Sequence, residues 1–280
     1  MVVESIRGPQ IGARARLAYL MQRARDLYEF RYLVRYLASS ALQVERVSLS
    51  FGFLWWLLDP LLMIALWTTL FVVILERGSR SSYPIPLFLM STLLVWQFVN
   101  RTTRNSVALT HYKELQMRPI AFPRAVFALA NTLAESVKLS MALAFFPVAA
   151  VLFGQPLSPV QLLAVPLIPI LLTTTVGLAW FFSALNFVFR DTERLIGILF
   201  RLWMFLSPVI YALERVPARF RLLYELNPLC LIIECFREVL LYHQIPSLSY
   251  VGGAVAAAVI TATIGFVFFH IQEPRFARLN

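Results

Sequence analysis

The chain has 280 residues, of which 59% are hydrophobic and only 14% are charged. This composition is too apolar for a soluble domain of that length and indicates a polytopic membrane protein. The formal net charge is +10. Because the basic residues form no clustered face, this charge does not indicate nucleic-acid binding. It is typical of membrane proteins in which positive residues hold loops on the cytoplasmic side.

The N-terminal part predicts a helix that lies on a membrane surface. The first 26 residues are polar and rich in arginine, without the apolar core of a cleavable signal peptide. Over residues 27–50, apolar side chains recur at steps of three and four, beginning with Leu27, Phe30 and Leu33. This pattern predicts an amphipathic interfacial helix. A helix packed against a soluble partner is the alternative, but a membrane span that starts almost at once favours the interfacial placement.

Six further stretches are apolar and long enough to cross a membrane as helices. Polar groups at membrane depth are costly and are usually paired or face a polar cavity. The second and third stretches carry Arg101 and Arg104, and Glu135 and Lys138, and the fourth carries Asn186. Glu135 and Lys138 therefore predict a local ion pair, or else the lining of a pathway or a latch with Arg101 or Arg104. The six predicted spans cover residues 55–75, 84–110, 125–153, 161–189, 195–212 and 250–270.

The fourth predicted span contains small and hydroxylated residues near its middle. Thr173, Thr174, Thr175 and Gly177 suit close helix packing at that depth. A short charged turn follows, in which Asp191 is a candidate N-cap for the next helix.

The segment 213–249 does not fit another span. Residues 227–241 are apolar enough to enter the membrane, but this stretch is only about 15 residues long and carries Glu234, Arg237 and Glu238. It predicts a re-entrant or interfacial hairpin on the outer side. Six spans place both termini in the cytoplasm, and most of the 25 lysine and arginine residues then lie on the cytoplasmic side, as expected.

Motifs of several enzyme classes are absent from the sequence. It has no phosphate loop ending in Gly-Lys-Ser/Thr, no Gly-x-Ser-x-Gly elbow and no His-Glu-x-x-His helix. The three histidines lie far apart and make no metal spacing. Cys230 and Cys235 would point away from each other on a helix, so we expect no disulfide between them.

Several short motifs follow one another in the second half of the chain. They are Ser183–Asn186 with Arg190–Asp191, then Leu206–Tyr211, then Asn227–Pro228 followed by Phe236–Arg237. In this order and spacing the chain resembles the permease subunit of ABC-2-type exporters, specifically those that move polysaccharides or lipid-linked O-antigen, teichoic acid or galactan chains. The expected fold is an all-α integral membrane protein with six transmembrane helices, an N-terminal amphipathic interfacial helix, and re-entrant gate helices between spans five and six.

The resemblance implies that separate subunits carry out glycan transport and ATP hydrolysis. The chain would form a homodimer in the bacterial cytoplasmic membrane and would not itself be an enzyme. Two separate ATPase subunits would bind ATP and Mg²⁺ and drive export of the lipid-linked glycan. Residues 111–124 would form the coupling segment that docks into the ATPase, although a solvated charged loop is the alternative. The expected coupling residues are Lys113, Glu114, Met117, Arg118, Phe122, Pro123 and Arg124.

Aromatic residues are candidates for the wall of a sugar pathway. A flat ring covers the apolar face of a pyranose, while waters and hydroxyl groups serve its rim. Aromatic residues also form lipid belts and packed cores, so we expect fewer than half of them to face the pathway. The segment 213–249 would supply the outer gate. The candidate gate and pathway residues are Trp55, Trp67, Phe71, Trp96, Trp180, Ser207, Pro208, Tyr211, Asn227 and Pro228.

Other functions remain as alternatives. One alternative is an ABC-2 permease for drugs or small lipids. An aromatic-poor pathway and a longer outer domain would favour it, whereas the outer loops predicted here are short. An integral-membrane enzyme acting on lipid-linked sugars would need acidic residues at the membrane surface, where Asp191 and Glu193 are too few. A secondary transporter would predict inverted repeats and broken helices, and neither is evident.

Overall fold

The protein is all-helical over the residues that the computed structural model describes, which are 13–48, 51–74, 76, 83–116, 123–189 and 191–276. Short 3₁₀ turns occur at Gly52–Leu54, Pro159–Leu163 and Leu213–Arg215, and π-helical turns at Leu70–Ile74 and Glu238–Tyr242. The α-helices in chain order are α1 (Ala13–Glu29), α2 (Arg31–Ser48), α3 (Trp55–Thr69), α4 (Ile85–Gln116), α5 (Ala125–Ala144), α6 (Phe146–Leu152), α7 (Ala164–Val188), α8 (Thr192–Phe205), α9 (Ala218–Glu225), α10 (Cys230–Arg237) and α11 (Leu248–Phe276).

Four helical stretches in the described part of the chain are long and apolar enough to cross a membrane. They are Gly52–Ile74, Ala125–Leu152, Pro159–Val188 and Leu248–Glu273, and they coincide with the first, third, fourth and sixth predicted spans. α4, at 32 residues, is long enough, but polar side chains in its second half lower its hydropathy. The count of six spans therefore stays a prediction.

α8 ends at Phe205, before the C-terminal boundary of the fifth predicted span, 195–212. α8 has 14 residues, which corresponds to about 21 Å, and turns replace the helix from Leu206 onward. Pro208 explains the early end, because proline lacks a backbone N–H and its ring disfavours the α conformation in Ser207. A helix of this length does not cross about 30 Å of hydrocarbon by itself.

The N-terminal helix is longer than predicted and has a break at Phe30, between α1 and α2. Backbone hydrogen bonds from Phe30 N to Asp26 O and from Val34 N to Phe30 O, both 3.0 Å, continue across that break. The apolar side chains of this face, including Leu27, pack in one cluster with residues of α5, α7 and α11. The apolar face of α1 and α2 thus packs against the protein's own bundle. Placement of these helices at the membrane surface stays a prediction.

α7 and α11 form the most extensive helix pair of the fold, as the small residues of α7 predicted. A Cβ atom on Gly177 would lie 2.5 Å from the backbone nitrogen of Ala262, and one on Gly265 would overlap the carbonyl oxygen of Gly177. The two backbones therefore touch where neither helix has a side chain. Thr174 and Thr175 satisfy their hydroxyl groups within α7, by donating to Ile170 O and Leu171 O.

α10 lies inside the bundle, where it contacts α4, α7 and α11. Ile232, Ile233 and Phe236 are fully buried there. Helices α9 and α10 have eight residues each, so this hairpin adds packing to the core without a further long helix.

Candidate functional site

The described part of the chain contains two groups of polar residues that bear on function. The first, here called the charged cluster, contains Glu45, Asp59, Arg101, Glu135 and Lys138. The second, here called the hairpin cluster, lies where the end of α8 meets α9 and α10, and contains Ser207, Tyr211, Asn227, Glu234 and Arg237.

The charged cluster contains the predicted ion pair and two further carboxylates, those of Glu45 and Asp59. Lys138 Nζ lies 2.8 Å from Glu135 Oε1 and 2.5 Å from Glu45 Oε2. Arg101 pairs with Asp59, so the predicted latch between Arg101 and Glu135 is not the arrangement found. The local ion pair, which was the simpler alternative, is the arrangement present.

Arg101, Glu135 and Lys138 nevertheless border one small cavity. Its volume is 30 Å³, and its walls include Trp56, Gln97, Arg101, Glu135 and Lys138. This volume is enough for a water molecule with polar partners on several sides. The indole Nε1 of Trp56 is buried without a hydrogen-bond partner among the described residues, so it could donate to such a water.

A larger polar cavity lies between α3, α4 and α8. It has a volume of 390 Å³, and α4 lines it with Gln97, Asn100, Arg101 and Arg104. Gln97 Nε2 and Asn100 Oδ1 are buried without a hydrogen-bond partner in the described part of the chain. Unpaired amide groups beside guanidinium groups suit water or a ligand rich in hydroxyl groups, because both can donate and accept hydrogen bonds.

Asn186, rather than Asp191, caps α8. The side-chain oxygen of Asn186 accepts a hydrogen bond of 3.2 Å from the backbone N–H of Glu193. Asp191 occupies the N-cap position but makes no side-chain capping bond. Its φ of −76° and ψ of −6° are helical, whereas a capping side chain needs an extended backbone. The amide thus ties the end of α7 to the start of α8.

Asn227 is the centre of the hairpin cluster. Its Nδ2 donates to Ser207 Oγ at 2.8 Å, and its Oδ1 accepts from Trp203 Nε1 at 3.2 Å and from the backbone N–H of Leu229 at 3.1 Å. One side chain therefore joins α8, the turn after it and the start of α10. Pro228 follows in the same turn.

Arg237 fastens α10 to the turn that follows α8. It is fully buried, lies 2.5 Å from Glu234 Oε1, and donates to the carbonyl oxygens of Pro208 and Tyr211. Its guanidinium carbon also lies 4.6 Å from the centre of the Phe88 ring on α4. In the sequence, Arg237 served only as part of a motif and as one of the charges that argue against a further span. The missed signal was a pair of opposite charges three residues apart in an apolar helix.

The hydroxyl group of Tyr211 completes this cluster. It donates to Phe205 O at 2.7 Å and lies 2.7 Å from the hydroxyl group of Tyr224 on α9. The structure thus brings together five of the ten residues predicted for the gate or the pathway, which are Ser207, Pro208, Tyr211, Asn227 and Pro228.

The candidate pathway aromatics divide into two sets. Trp96 is 3% exposed and packs between Phe200 and Trp203, and Trp180 donates to Ala125 O at 3.1 Å. Both belong to the packing of the single chain, which was the alternative for such residues. Trp55, Trp67 and Phe71 lie on or just beyond α3. Trp55 is 36% exposed, and the Trp67 and Phe71 rings stack with centres 6.0 Å apart.

Only part of the expected coupling segment is described. The backbone of Lys113 and Glu114 forms the last turns of α4, while their side chains, and Met117, Arg118 and Phe122 entirely, lie outside the described residues. Pro123 is buried. The backbone N–H of Arg124 donates to Glu273 Oε1 at 3.2 Å, which ties the start of α5 to the end of α11.

Comparison with known proteins places this architecture among transport proteins. The profile of the family described as ABC-2 type transporter matches residues 32–241. The O-antigen export system permease protein RfbA of Klebsiella pneumoniae is 27% identical over 253 residues, which is 90% of this chain and 96% of that protein. The O-antigen export system permease protein RfbA of Myxococcus xanthus is 24% identical over 262 residues, covering 92% and 99% of the two chains.

Proposed function

This chain belongs to the ABC-2 type transporter family, and we propose that it is the membrane-spanning subunit of an ATP-driven exporter of O-antigen or a related lipid-linked polysaccharide. The observation that carries the proposal is the similarity to three O-antigen export permeases over at least 90% of this chain and 96% of theirs. The similarity thus extends beyond the matched family region into both ends of the chain.

In this proposal two copies of the chain form the exporter with two separate ATPase subunits, which bind ATP and Mg²⁺. The first apolar span supports a second copy, because only 11% of its most apolar window is buried within one chain, against 50% for Pro159–Val188. α8 likewise exposes Leu195, Leu202 and Phe205. Two copies apposed along α3 and α8 would bring two of the 390 Å³ polar cavities together on a two-fold axis, the commonest symmetry of oligomers.

The polar cavity and the α3 aromatics would then line the glycan pathway. Sugar hydroxyl groups suit the side chains of Gln97, Asn100 and Arg104, while flat rings such as Trp67 and Phe71 suit the apolar face of a pyranose. The hairpin cluster would form the outer gate, because its hydrogen bonds join α8 to the hairpin. Opening would then require rearrangement at Asn227 or movement of α8 and the hairpin together.

The proposed topology has six spans with both termini in the cytoplasm of a bacterial cell, and the hairpin of residues 213–249 on the outer side. The segment between α4 and α5 would then face the cytoplasm and dock into the ATPase. Its arginines, Arg118 and Arg124, are the candidates for that contact.

Purification from native membranes tests the proposal. We expect an ATPase subunit to co-purify in equal amount with this chain, together with a polyprenyl-linked glycan, both identified by mass spectrometry. If neither an ATPase nor a glycan is recovered, and deletion of the gene leaves surface glycan unchanged, the proposal is wrong. Transferase activity of the purified chain on lipid-linked sugars would instead support the membrane-enzyme alternative.

Charge reversal tests the coupling segment separately. Arg118→Glu with Arg124→Glu should reduce glycan-stimulated ATP turnover and weaken recovery of the ATPase, without loss of the folded membrane domain. The matched control is Arg219→Glu with Arg221→Glu on α9, which makes the same change in charge on exposed residues of the hairpin. Equal ATP turnover in the two double variants would contradict the docking role.

A further inference from the structure

A groove lies where α1 and α2 meet α5, α7 and α11. Its volume is 760 Å³, within the range of sites that hold small organic molecules. One wall is apolar and carries Leu133 of α5, Val176 of α7 and Phe266 of α11. Because α5, α7 and α11 belong to the apolar candidate spans, we expect this wall to lie at the level of the hydrocarbon in a membrane.

The opposite rim of the groove is cationic. Arg31 and Arg35 both line it, and no acidic side chain lines it among the described residues. Neither arginine forms an ion pair within the described part of the chain. Two uncompensated guanidinium groups beside an apolar groove are complementary to a molecule with an anionic head and an apolar tail.

Contacts within the chain hold Arg31 in place at this rim. The guanidinium carbon of Arg31 lies 4.7 Å and 4.5 Å from the ring centres of Tyr28 and Tyr32, and Nη1 donates to Tyr28 O at 3.2 Å. Tyr28, Tyr32 and Tyr36 are each at least 66% exposed and follow one another at four-residue steps. Exposed tyrosines next to arginines are typical of the headgroup level of a membrane, where one end of the ring is apolar and the other is wet.

We propose that this groove binds one anionic phospholipid, with its phosphate between Arg31 and Arg35 and an acyl chain against Leu133, Val176 and Phe266. The lipid would join the N-terminal helices to α5, α7 and α11 on the face away from α3 and α8. The site is separate from the proposed glycan pathway, so the inference does not depend on which molecule is exported.

Native mass spectrometry of the full chain, with phosphatidylglycerol and phosphatidylethanolamine as the two probes, tests the site. We expect one phosphatidylglycerol to remain bound per chain, in preference to phosphatidylethanolamine. Arg31→Gln with Arg35→Gln should weaken phosphatidylglycerol binding roughly 30-fold. The control Arg219→Gln with Arg221→Gln removes the same charge from α9 and should leave binding unchanged. Equal retention of the two lipids by the unmodified chain, or equal retention by both double variants, would overturn the proposal.

A second variant tests the apolar groove independently of the arginine charges. Thr263 is exposed and lines the groove on α11, so Thr263→Phe should fill the groove while both arginines remain. We expect loss of bound phosphatidylglycerol in this variant as well, and full retention would contradict an acyl chain in the groove. In bilayers, a phosphatidylglycerol with a photoreactive acyl chain should label the groove wall of the unmodified chain. Labelling of α3 without labelling of the groove would show another occupant, such as residues 1–12 or a second copy, and would also overturn the proposal.

Discussion

Arg237 is fully buried, and several partners offset the cost of removing its charge from water. Glu234 supplies the opposite charge, Pro208 and Tyr211 supply carbonyl oxygens, and Phe88 supplies a ring face. Lys138 is similarly enclosed, between the carboxylates of Glu135 and Glu45. At the scale of single residues, the chain therefore keeps its buried cations paired, and the effect of a substitution depends on which partner is left behind.

Arg237→Met should destabilise the protein by about 4 kcal/mol, because it leaves Glu234 as a buried carboxylate without a counter-ion. Thermal unfolding in detergent measures the loss. Adding Glu234→Leu to the same chain should restore part of the stability, since no unpaired carboxylate then remains. A double variant as unstable as Arg237→Met would show that the two carbonyl contacts, rather than the ion pair, set the cost.

Lys138→Met should cost about 3 kcal/mol of unfolding free energy, because it leaves two carboxylates together. Glu135→Gln should cost less, since Lys138 keeps Glu45 at 2.5 Å. Thermal unfolding of both variants under the same conditions makes the comparison. If Glu135→Gln were the more destabilising change, Glu45 would not be an effective partner for Lys138.

At the scale of helices, α7 and α11 depend on two glycines where their backbones touch. Gly265→Val should destabilise the pair by about 3 kcal/mol or more, because the new side chain has no space beside Gly177. Gly252→Val lies on the same helix, where a Cβ would meet nothing within 4 Å, and should be tolerated. Size-exclusion chromatography and thermal unfolding of both variants test the contrast, and equal behaviour would argue against a tight contact.

Local patterns predicted some of these elements and missed others for identifiable reasons. The small residues of α7 predicted a close helix contact, because packing of that kind depends on residue size alone. The end of α8 was missed because apolarity continues past Ser207 and Pro208, although the proline stops the helix. The partners of Arg101, Asn186 and Arg237 were missed because Asp59, the Glu193 N–H and the Pro208 carbonyl become neighbours only through the turns or packing between elements.

For the molecule as a whole, the first apolar span is the least buried of the four candidate spans. In a bilayer such a helix contacts either lipid or another copy of the chain. Its exposed face includes Leu62 and Leu66, at 59% and 61%. The native cysteines, Cys230 and Cys235, are fully buried, which leaves little background for cysteine cross-linking.

Leu62→Cys or Leu66→Cys should therefore form disulfide-linked dimers in membranes treated with an oxidant, because the proposed two-fold axis brings the two copies of α3 together. Val165→Cys on α7 is the matched control, since Val165 is similarly exposed, at 63%, but lies outside the proposed interface along α3 and α8. Dimer bands on non-reducing gels give the measurement. Cross-linking at Val165 but at neither α3 position would place the interface elsewhere.

The position of α10 between α4 and α11 has a consequence for how the protein is made. α11 follows α10 in the chain, so α10 lacks one wall of its site until α11 has been synthesised. Until then the core around α10 stays incomplete, although domains generally fold from the N-terminus during synthesis. A chain truncated before residue 248 would leave α10 without the helix that packs beside Leu231, and the apolar surface left open there would mark the chain as incomplete to cellular quality control.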